Sequence, residues 1–289
     1  MALISNIYNY EKILAFFFEK NFSLQKIKNP VFIIGCGRSG TTIFGKTLSY
    51  HPDITYLNEP RDIWFSCYPE TDIWTSEAEK RKGKLVMTKN NIVEKNSRKL
   101  KNSFYREIQK TGRSILVEKL PINSFRLDFL YSIFPDARFI HILRRGIDVA
   151  LSIEKICKNG GWFVSHPYKW KLLYTYAESM RETTGIAQQC NSYYEKGLLE
   201  WRLSIESIFS FKEKMKQDVT FCEIQYEDFI ENPEGVVEHI FNFLKIKNNN
   251  IVNTFVKSAV WEKNLLKERH IIGEKERHII GEKILSFFI

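Results

Sequence analysis

The sequence predicts an α/β chain of the P-loop type: three layers, with a central parallel sheet flanked by helices. Three observations predict it. The runs Val31-Phe32-Ile33-Ile34, Ser114-Ile115-Leu116-Val117, Ala137 to Leu143 and Val219 to Ile224 are almost wholly apolar, as strands buried on both faces are. Segments of helical length separate them, which implies βαβ units and parallel pairing. Polar clusters at Gly35–Thr42, Glu59, Lys119 and Arg144 each follow a predicted strand. In parallel sheets ligands gather at the carboxyl ends of the strands, so these clusters are expected on one edge.

The elements follow in order. Residues 1–29 carry a short amphipathic helix over 4–22, with aromatic positions on one side. Pro30 opens the first strand, which runs into the glycine-rich segment and a helix from Ile43 to Ser49. Tyr56-Leu57 is a short strand ending at Asn58-Glu59-Pro60-Arg61. Residues 75–110 read as mostly helical. The strand Ser114–Val117 ends at Glu118-Lys119, and Asn123 caps a helix reaching Phe134. The strand Ala137–Leu143 leads through Arg144-Arg145-Gly146 into a helix ending near Ile156. Residues 159–169 read as a loop, with helices over 170–190 and 196–215. The last strand leads into Tyr226-Glu227-Asp228 and an amphipathic helix over 233–244.

Length and composition exclude several classes. At 289 residues, 44% hydrophobic and 27% charged, the chain has an ordinary globular make-up and ample length for a buried core. The longest apolar run near the N-terminus, Ile13 to Phe18, falls far short of the roughly 20 residues a membrane span needs, and no basic region precedes it as in a signal peptide. The five cysteines are dispersed, without metal spacing, and read as free thiols in a reducing, cytoplasmic setting. Net charge is +9, and residues 80–113 alone hold twelve Lys or Arg against two Glu. No nucleic-acid reader module accompanies that stretch, so it reads as a solvated basic face, or as a field drawing an anionic ligand. His51, His141 and His166 stand alone, His51 as a turn residue and His141 as a structural one.

The segment Gly35-Cys36-Gly37-Arg38-Ser39-Gly40-Thr41-Thr42 is the strongest local signal. A strand, a glycine-rich loop and a helix start together make an anion cradle, because free backbone N–H groups and the helix dipole both favour negative charge. Gly35, Gly40 and Thr42 keep the spacing of a nucleotide P-loop, but Thr41 stands where the phosphate-binding Lys belongs, and the cation has moved to Arg38. The loop is therefore expected to hold phosphate or sulfate rather than Mg·ATP. Gly45-Lys46-Thr47 lies inside the following helix and reads as structural.

Gly-x-x-Arg-Ser-Gly-Thr-Thr after a strand resembles the 5′-phosphosulfate loop of the sulfotransferases, which transfer a sulfuryl group from 3′-phosphoadenosine 5′-phosphosulfate (PAPS). Arg144-Arg145-Gly146-Ile147-Asp148-Val149-Ala150-Leu151-Ser152 resembles their second signature, which implies that Arg144 and Ser152 bind the 3′-phosphate. Lys119, 25 residues before Arg144, resembles the family's Lys that stabilises the transferring group. Glu59-Pro60-Arg61, 21 residues after Arg38, is similar to the tyrosylprotein and related bacterial sulfotransferases, where a Glu is the base; Arg61 would then bind substrate. Pro121 occupies the position of the His base of the small-molecule enzymes. Gln225 to Phe229 and Asn232-Pro233-Glu234 are also family-like, as scaffold.

The resemblance runs from about Pro30 to Ile246 and implies a sulfotransferase domain over 30–265. The cofactor-binding set would be Arg38, Ser39, Gly40, Thr41, Thr42, Arg144 and Ser152, with Glu59 and Lys119 catalytic and no metal required. PAPS would be the donor and PAP (3′-phosphoadenosine 5′-phosphate) the product, with a hydroxyl on a peptide tyrosine, glycan, lipid or small molecule as acceptor. Phe44 and Trp64 are candidates for stacking on adenine, and Lys267, Arg269 or the tail for closing over the 3′-phosphate. The rival readings are a P-loop kinase or GTPase, and a non-catalytic nucleotide-binding module using the basic 80–113 segment. Residues 266–289 form a tail in which Glu268–Lys275 recurs as Glu276–Lys283. A hairpin of Arg269–Ile272 against Arg277–Ile280 and a frayed helix are both open for it.

Overall fold

The computed structural model describes residues 27–215, 218–261, 273–281 and 284. The expected helix over 4–22, and the first copy of the tail repeat up to residue 272, lie outside the described residues.

Strand β1 (Val31–Ile34) leads through the glycine loop into α1 (Thr41–Ser49) and β2 (Ile54–Asn58), followed by α2 (Arg61–Cys67). After α3 (Glu94–Thr111) come β3 (Ile115–Lys119), α4 (Leu127–Ile133), β4 (Arg138–Leu143) and α5 (Gly146–Lys158). Helices α6 (Pro167–Ser179), α7 (Ile186–Gln189) and α8 (Tyr193–Met215) precede β5 (Thr220–Gln225). The chain continues through α9 (Tyr226–Glu231), α10 (Pro233–Leu244), α11 (Asn250–Trp261) and α12 (Glu274–Ile280). The five strands form one sheet in the order β2-β3-β1-β4-β5. All four pairings are parallel, with Val31 facing Val117 on one side and Arg138 on the other.

Two apolar layers cover the sheet. Phe32, Ile34 and Phe139 face one, packed with Phe104 of α3, Phe129 of α4 and Trp201 of α8. Val31, Ile33, Ile140 and Ile142 face the other, with Phe44 of α1, Ile240 of α10 and Val252 of α11. Alternate strand residues thus feed opposite cores, which is why β1 is apolar at every position.

Several predicted boundaries move, each for a local reason. Only Glu94–Thr111 of the basic stretch is a long helix. Residues 72–88 are irregular, and the buried Arg126 guanidinium serves their backbone by donating to the carbonyls of Thr71, Lys84 and Leu85. Gly83 packs so close to the Asp72 carbonyl that a Cβ would lie 2.0 Å from it. Asn123 is not a helix cap. It sits in a 3-10 turn (Pro121–Phe125), and its side-chain amide donates to Glu118. The 170–190 segment starts earlier, with Pro167 in the first turn of α6, and breaks after Ser179. There the Glu178 carboxylate accepts from the Gly185 N–H. Helix α8 begins at Tyr193 because Ser192 and Glu195 form a reciprocal cap, the Ser192 Oγ accepting from Glu195 N and the Glu195 carboxylate from Ser192 N. Of the two forms open for the tail, the hairpin is excluded, because Arg277–Ile280 are helical. Ile279 and Ile280 are buried there, and Arg202 of α8 donates to the Ile279 carbonyl at 3.0 Å.

Candidate active site

At the carboxyl end of β1 the chain turns within a few residues from strand to helix. Gly35 has φ +138°, and its Cα faces the Ile142 carbonyl so closely that a Cβ would come within 2.5 Å of the oxygen. Its N–H donates to Ser124 Oγ at 3.0 Å. Arg38 (φ 75°) and Gly40 (φ 88°) are left-handed; at Arg38 this costs about 1–2 kcal/mol. Helix α1 starts at once, with no side-chain cap and no acidic residue in its first turn. Its leading N–H groups and the positive end of its dipole are left to an external anion.

The end of β3 delivers Lys119 to the same place. Its side chain is 1% exposed, and Nζ donates to Thr42 Oγ1 at 2.9 Å and to Glu59 Oε1 at 2.7 Å. Glu59, just past β2, is fixed by its own N–H, which donates to the Lys119 carbonyl at 2.7 Å. Arg61 takes the other carboxylate oxygen of Glu59 and lies 4.2 Å from the Trp74 ring. Burial pushes the Glu59 carboxyl up, but the Lys119 hydrogen bond and the charges of Lys119 and Arg61 outweigh it and hold the carboxyl below its usual value. Lys119 is shifted down by burial, against the pull of Glu59. Behind it Glu118 is fully buried, accepts from the Trp64 indole at 2.9 Å, and is pushed up to about 8 by that burial.

The end of β4 supplies the third element. Arg144 Nη1 donates to the Arg38 carbonyl at 2.8 Å, and its guanidinium lies 4.5 Å from the Tyr226 ring. Its own carbonyl accepts from the Trp201 indole, while its Nε is buried without a partner. Ser152 of α5 accepts from Arg38 Nε at 3.1 Å. Burial, then the charge of Arg144, lowers the Arg38 pKa. Two mutually repelling guanidinium groups, one with an orphaned N–H, make a site that a bound anion relieves.

A family model described as "Sulfotransferase family" matches residues 30–249. The chain belongs to the sulfotransferase family. The solved sulfotransferase domain from the curacin biosynthetic pathway matches with a TM-score of 0.50 and 13% identity, covering 91% of this chain and 99% of that one. The sulfotransferase domain of the Synechococcus PCC 7002 olefin synthase gives 0.49 and 18%, covering 91% and 96%. A sulfotransferase from Alicyclobacillus acidocaldarius gives 0.47 and 16%, covering 90% and 91%. Comparison of the sequence with curated proteins gives no match. Membership sets the kinase and GTPase reading aside.

The sequence-predicted residues gather around the glycine loop in two hydrogen-bonded groups, Arg38 with Arg144 and Ser152, and Thr42 with Lys119, Glu59 and Arg61. Two others join neither. Phe44 is fully buried against Phe229 in the core, and Trp64 packs against Phe104, so neither presents a face to a base. Lys267 and Arg269 lie outside the described residues. Tyr226 and Trp162 were not legible as site residues. A Cβ on Gly40 would meet the Tyr226 ring at 2.2 Å, and one on Gly37 the Trp162 ring at 2.5 Å, so both aromatics wall the loop. Tyr226 did carry a signal, as the first residue after the last strand. Among the described residues no cluster of His, Cys, Asp and Glu is arranged to hold a metal, and no helix is long and apolar enough to cross a membrane.

Proposed function

We propose that this sulfotransferase takes its sulfuryl group from PAPS and passes it to an acceptor hydroxyl, with Glu59 as base. The reading rests above all on Arg38 and Arg144, one on the glycine loop and one at the end of β4: Arg144 Nη1 donates to the Arg38 carbonyl at 2.8 Å, and its charge helps lower the Arg38 pKa. Such a pair suits one adenosine donor carrying phosphate at both its 5′ and 3′ positions. The orphaned Arg144 Nε and the uncapped start of α1 fit that ligand. Arg144 and Ser152 would hold the 3′-phosphate; Arg38, Ser39, Gly40, Thr41 and Thr42 would hold the phosphosulfate.

When bound, PAPS supplies an activated sulfur with PAP as leaving group. The residues do the rest. Glu59 accepts the acceptor's proton as the hydroxyl oxygen bonds to sulfur and the bond from sulfur to the phosphate oxygen breaks. Lys119 turns from Glu59 to the bridging oxygen and offsets the charge that builds there. In doing so it removes the partner that holds the Glu59 carboxyl low, so the carboxylate becomes more basic as the acceptor reacts. The five free cysteines, all buried, suit a reducing, cytoplasmic setting.

The test is transfer of label from radiolabelled PAPS to a panel of neutral alcohols and phenols. Labelled sulfate ester is expected from wild-type protein and about 10²–10³-fold less from Lys119→Ala. Labelled ester formed equally well by Lys119→Ala would overturn the assignment.

A further inference from the structure

Helix α8 reaches both anion-binding segments from inside the core. Every residue from Gly197 to Ile205 is buried. A Cβ on Gly197 would lie 3.1 Å from Ile153, so α8 packs tightly against α5. Glu200 and Trp201 are consecutive here and point about 100° apart around the helix axis, so one firmly seated turn serves two segments.

Trp201 serves the end of β4. Arg144 lies one residue past Leu143, the last paired position of that strand, so the ladder does not fix its backbone. The Trp201 indole N–H does so instead, donating to the Arg144 carbonyl at 2.9 Å. The ring also fills the space beside Gly146, where a Cβ would lie 2.6 Å from it. Glu200 serves the glycine loop at one remove. One of its carboxylate oxygens accepts from the Trp162 indole at 2.8 Å, and the other meets the Lys169 ammonium at 2.6 Å. That ammonium lies 3.9 Å from the Trp162 ring. The Lys169 and Glu200 side chains are only 6% and 4% exposed. Apolar packing would stabilise the core as well as such a pair; what the pair adds is a fixed acceptor for the indole. Trp162 is thereby held in the left-handed region, φ +54°, which a residue with a side chain keeps only where its surroundings over-determine it. The ring so held abuts the loop: a Cβ on Gly37 would lie 2.5 Å from it.

We propose that Glu200 and Trp201 are positioning residues for the two halves of the donor site: Trp201 sets Arg144 and with it the grip on a 3′-phosphate, while Glu200, through Trp162, sets the glycine loop and with it the grip on the 5′-phosphate. The proposal rests on the reading of the donor as PAPS. Calorimetry on the full chain with PAP, and with ADP, which lacks the 3′-phosphate, separates the two roles. Trp201→Phe keeps an aromatic ring and removes the N–H. It should lower PAP affinity about tenfold and leave ADP affinity unchanged, which also shows that the variant is folded. Lys169→Met with Glu200→Leu removes the ion pair and the acceptor of the indole without leaving a lone charge buried. It should lower the affinity for PAP and for ADP alike, by about tenfold, and so keep their ratio at the wild-type value. Trp162→Ala disturbs no buried charge and should show the same equal loss, with a cooperative thermal melt as the control for folding. A merely structural role would weaken both ligands in every variant and could not split them by residue. An equal loss of PAP and ADP in Trp201→Phe, a loss confined to PAP in Trp162→Ala, or unchanged affinities would overturn the proposal while wild-type protein still prefers PAP. Wild-type protein that binds PAP and ADP equally would overturn the donor reading, and this proposal with it.

Discussion

Lys119 is where charge converges: one ammonium, 1% exposed, joins the start of α1 through Thr42 to the carboxylate of Glu59. Glu59→Gln keeps the shape and removes the base, so kcat should fall by about 10²–10⁴ while PAP still binds, as a transfer assay paired with calorimetry would register. The Glu59 carboxyl is held low by Lys119 and Arg61 against the opposing effect of burial. The carboxylate form therefore persists below the usual Glu pKa of about 4.3, and activity is lost only as pH falls through that lowered value. A pH profile of kcat/KM should place the acid limb there; a limb near 7 would contradict the assignment. Arg38, Glu59, Lys119 and Arg144 were legible in the sequence because each lies at or just past a strand end, where a parallel sheet gathers its ligands. Trp162 was not. It comes from a connection between helices, and only its contacts with Gly37, Lys169 and Glu200 bring it to the site.

At the scale of elements, the turn from β1 into α1 and the end of β3 carry the sharpest expectations. Gly40→Ala forces a side chain into a left-handed residue and into the Tyr226 ring, 2.2 Å from the new Cβ. The loop must shift, and PAP affinity should fall at least about tenfold by calorimetry. In β3, burial raises Glu118 to about 8. The folded protein then holds a proton that the unfolded chain releases near 4.3, so this group's stabilisation is complete at low pH and is lost as pH rises toward and through 8. Glu118→Gln should flatten that slope: in thermal melts from pH 5 to 8.5, the wild-type Tm should fall more than the variant's. The strands were legible because sheet residues buried on both faces leave unbroken apolar runs. The 72–88 stretch was not, because its backbone is satisfied by the distant Arg126 rather than by a local repeat. The start of α8 had a readable signal in Ser192 and Glu195, the spacing of a reciprocal cap.

On the scale of the whole molecule, α12 is seated on α8. Arg202 joins them, donating to Glu206 at 2.7 Å, to the Ile279 carbonyl at 3.0 Å and to the Glu182 carbonyl at 3.0 Å. Arg202→Ala strips all three and leaves the Glu206 carboxylate without its charge partner, so denaturant unfolding should show a loss of about 3–5 kcal/mol. PAP affinity should be retained, because the Arg202 partners are Glu206, Ile279 and Glu182 rather than residues of the glycine loop. The α/β class and the parallel sheet were legible from the alternation of apolar runs with helical segments. The fate of the repeated octapeptide was not, since α12 straddles the junction of the two copies, with Lys275 of the first paired to Glu195 and the Ile279 carbonyl of the second accepting from Arg202. The most direct test of the account is calorimetry of wild-type protein and Arg144→Ala with PAP, ADP and 5′-AMP. Wild-type protein should prefer PAP strongly, and Arg144→Ala should lose that preference. Equal affinity for PAP and ADP in the wild-type protein would contradict it.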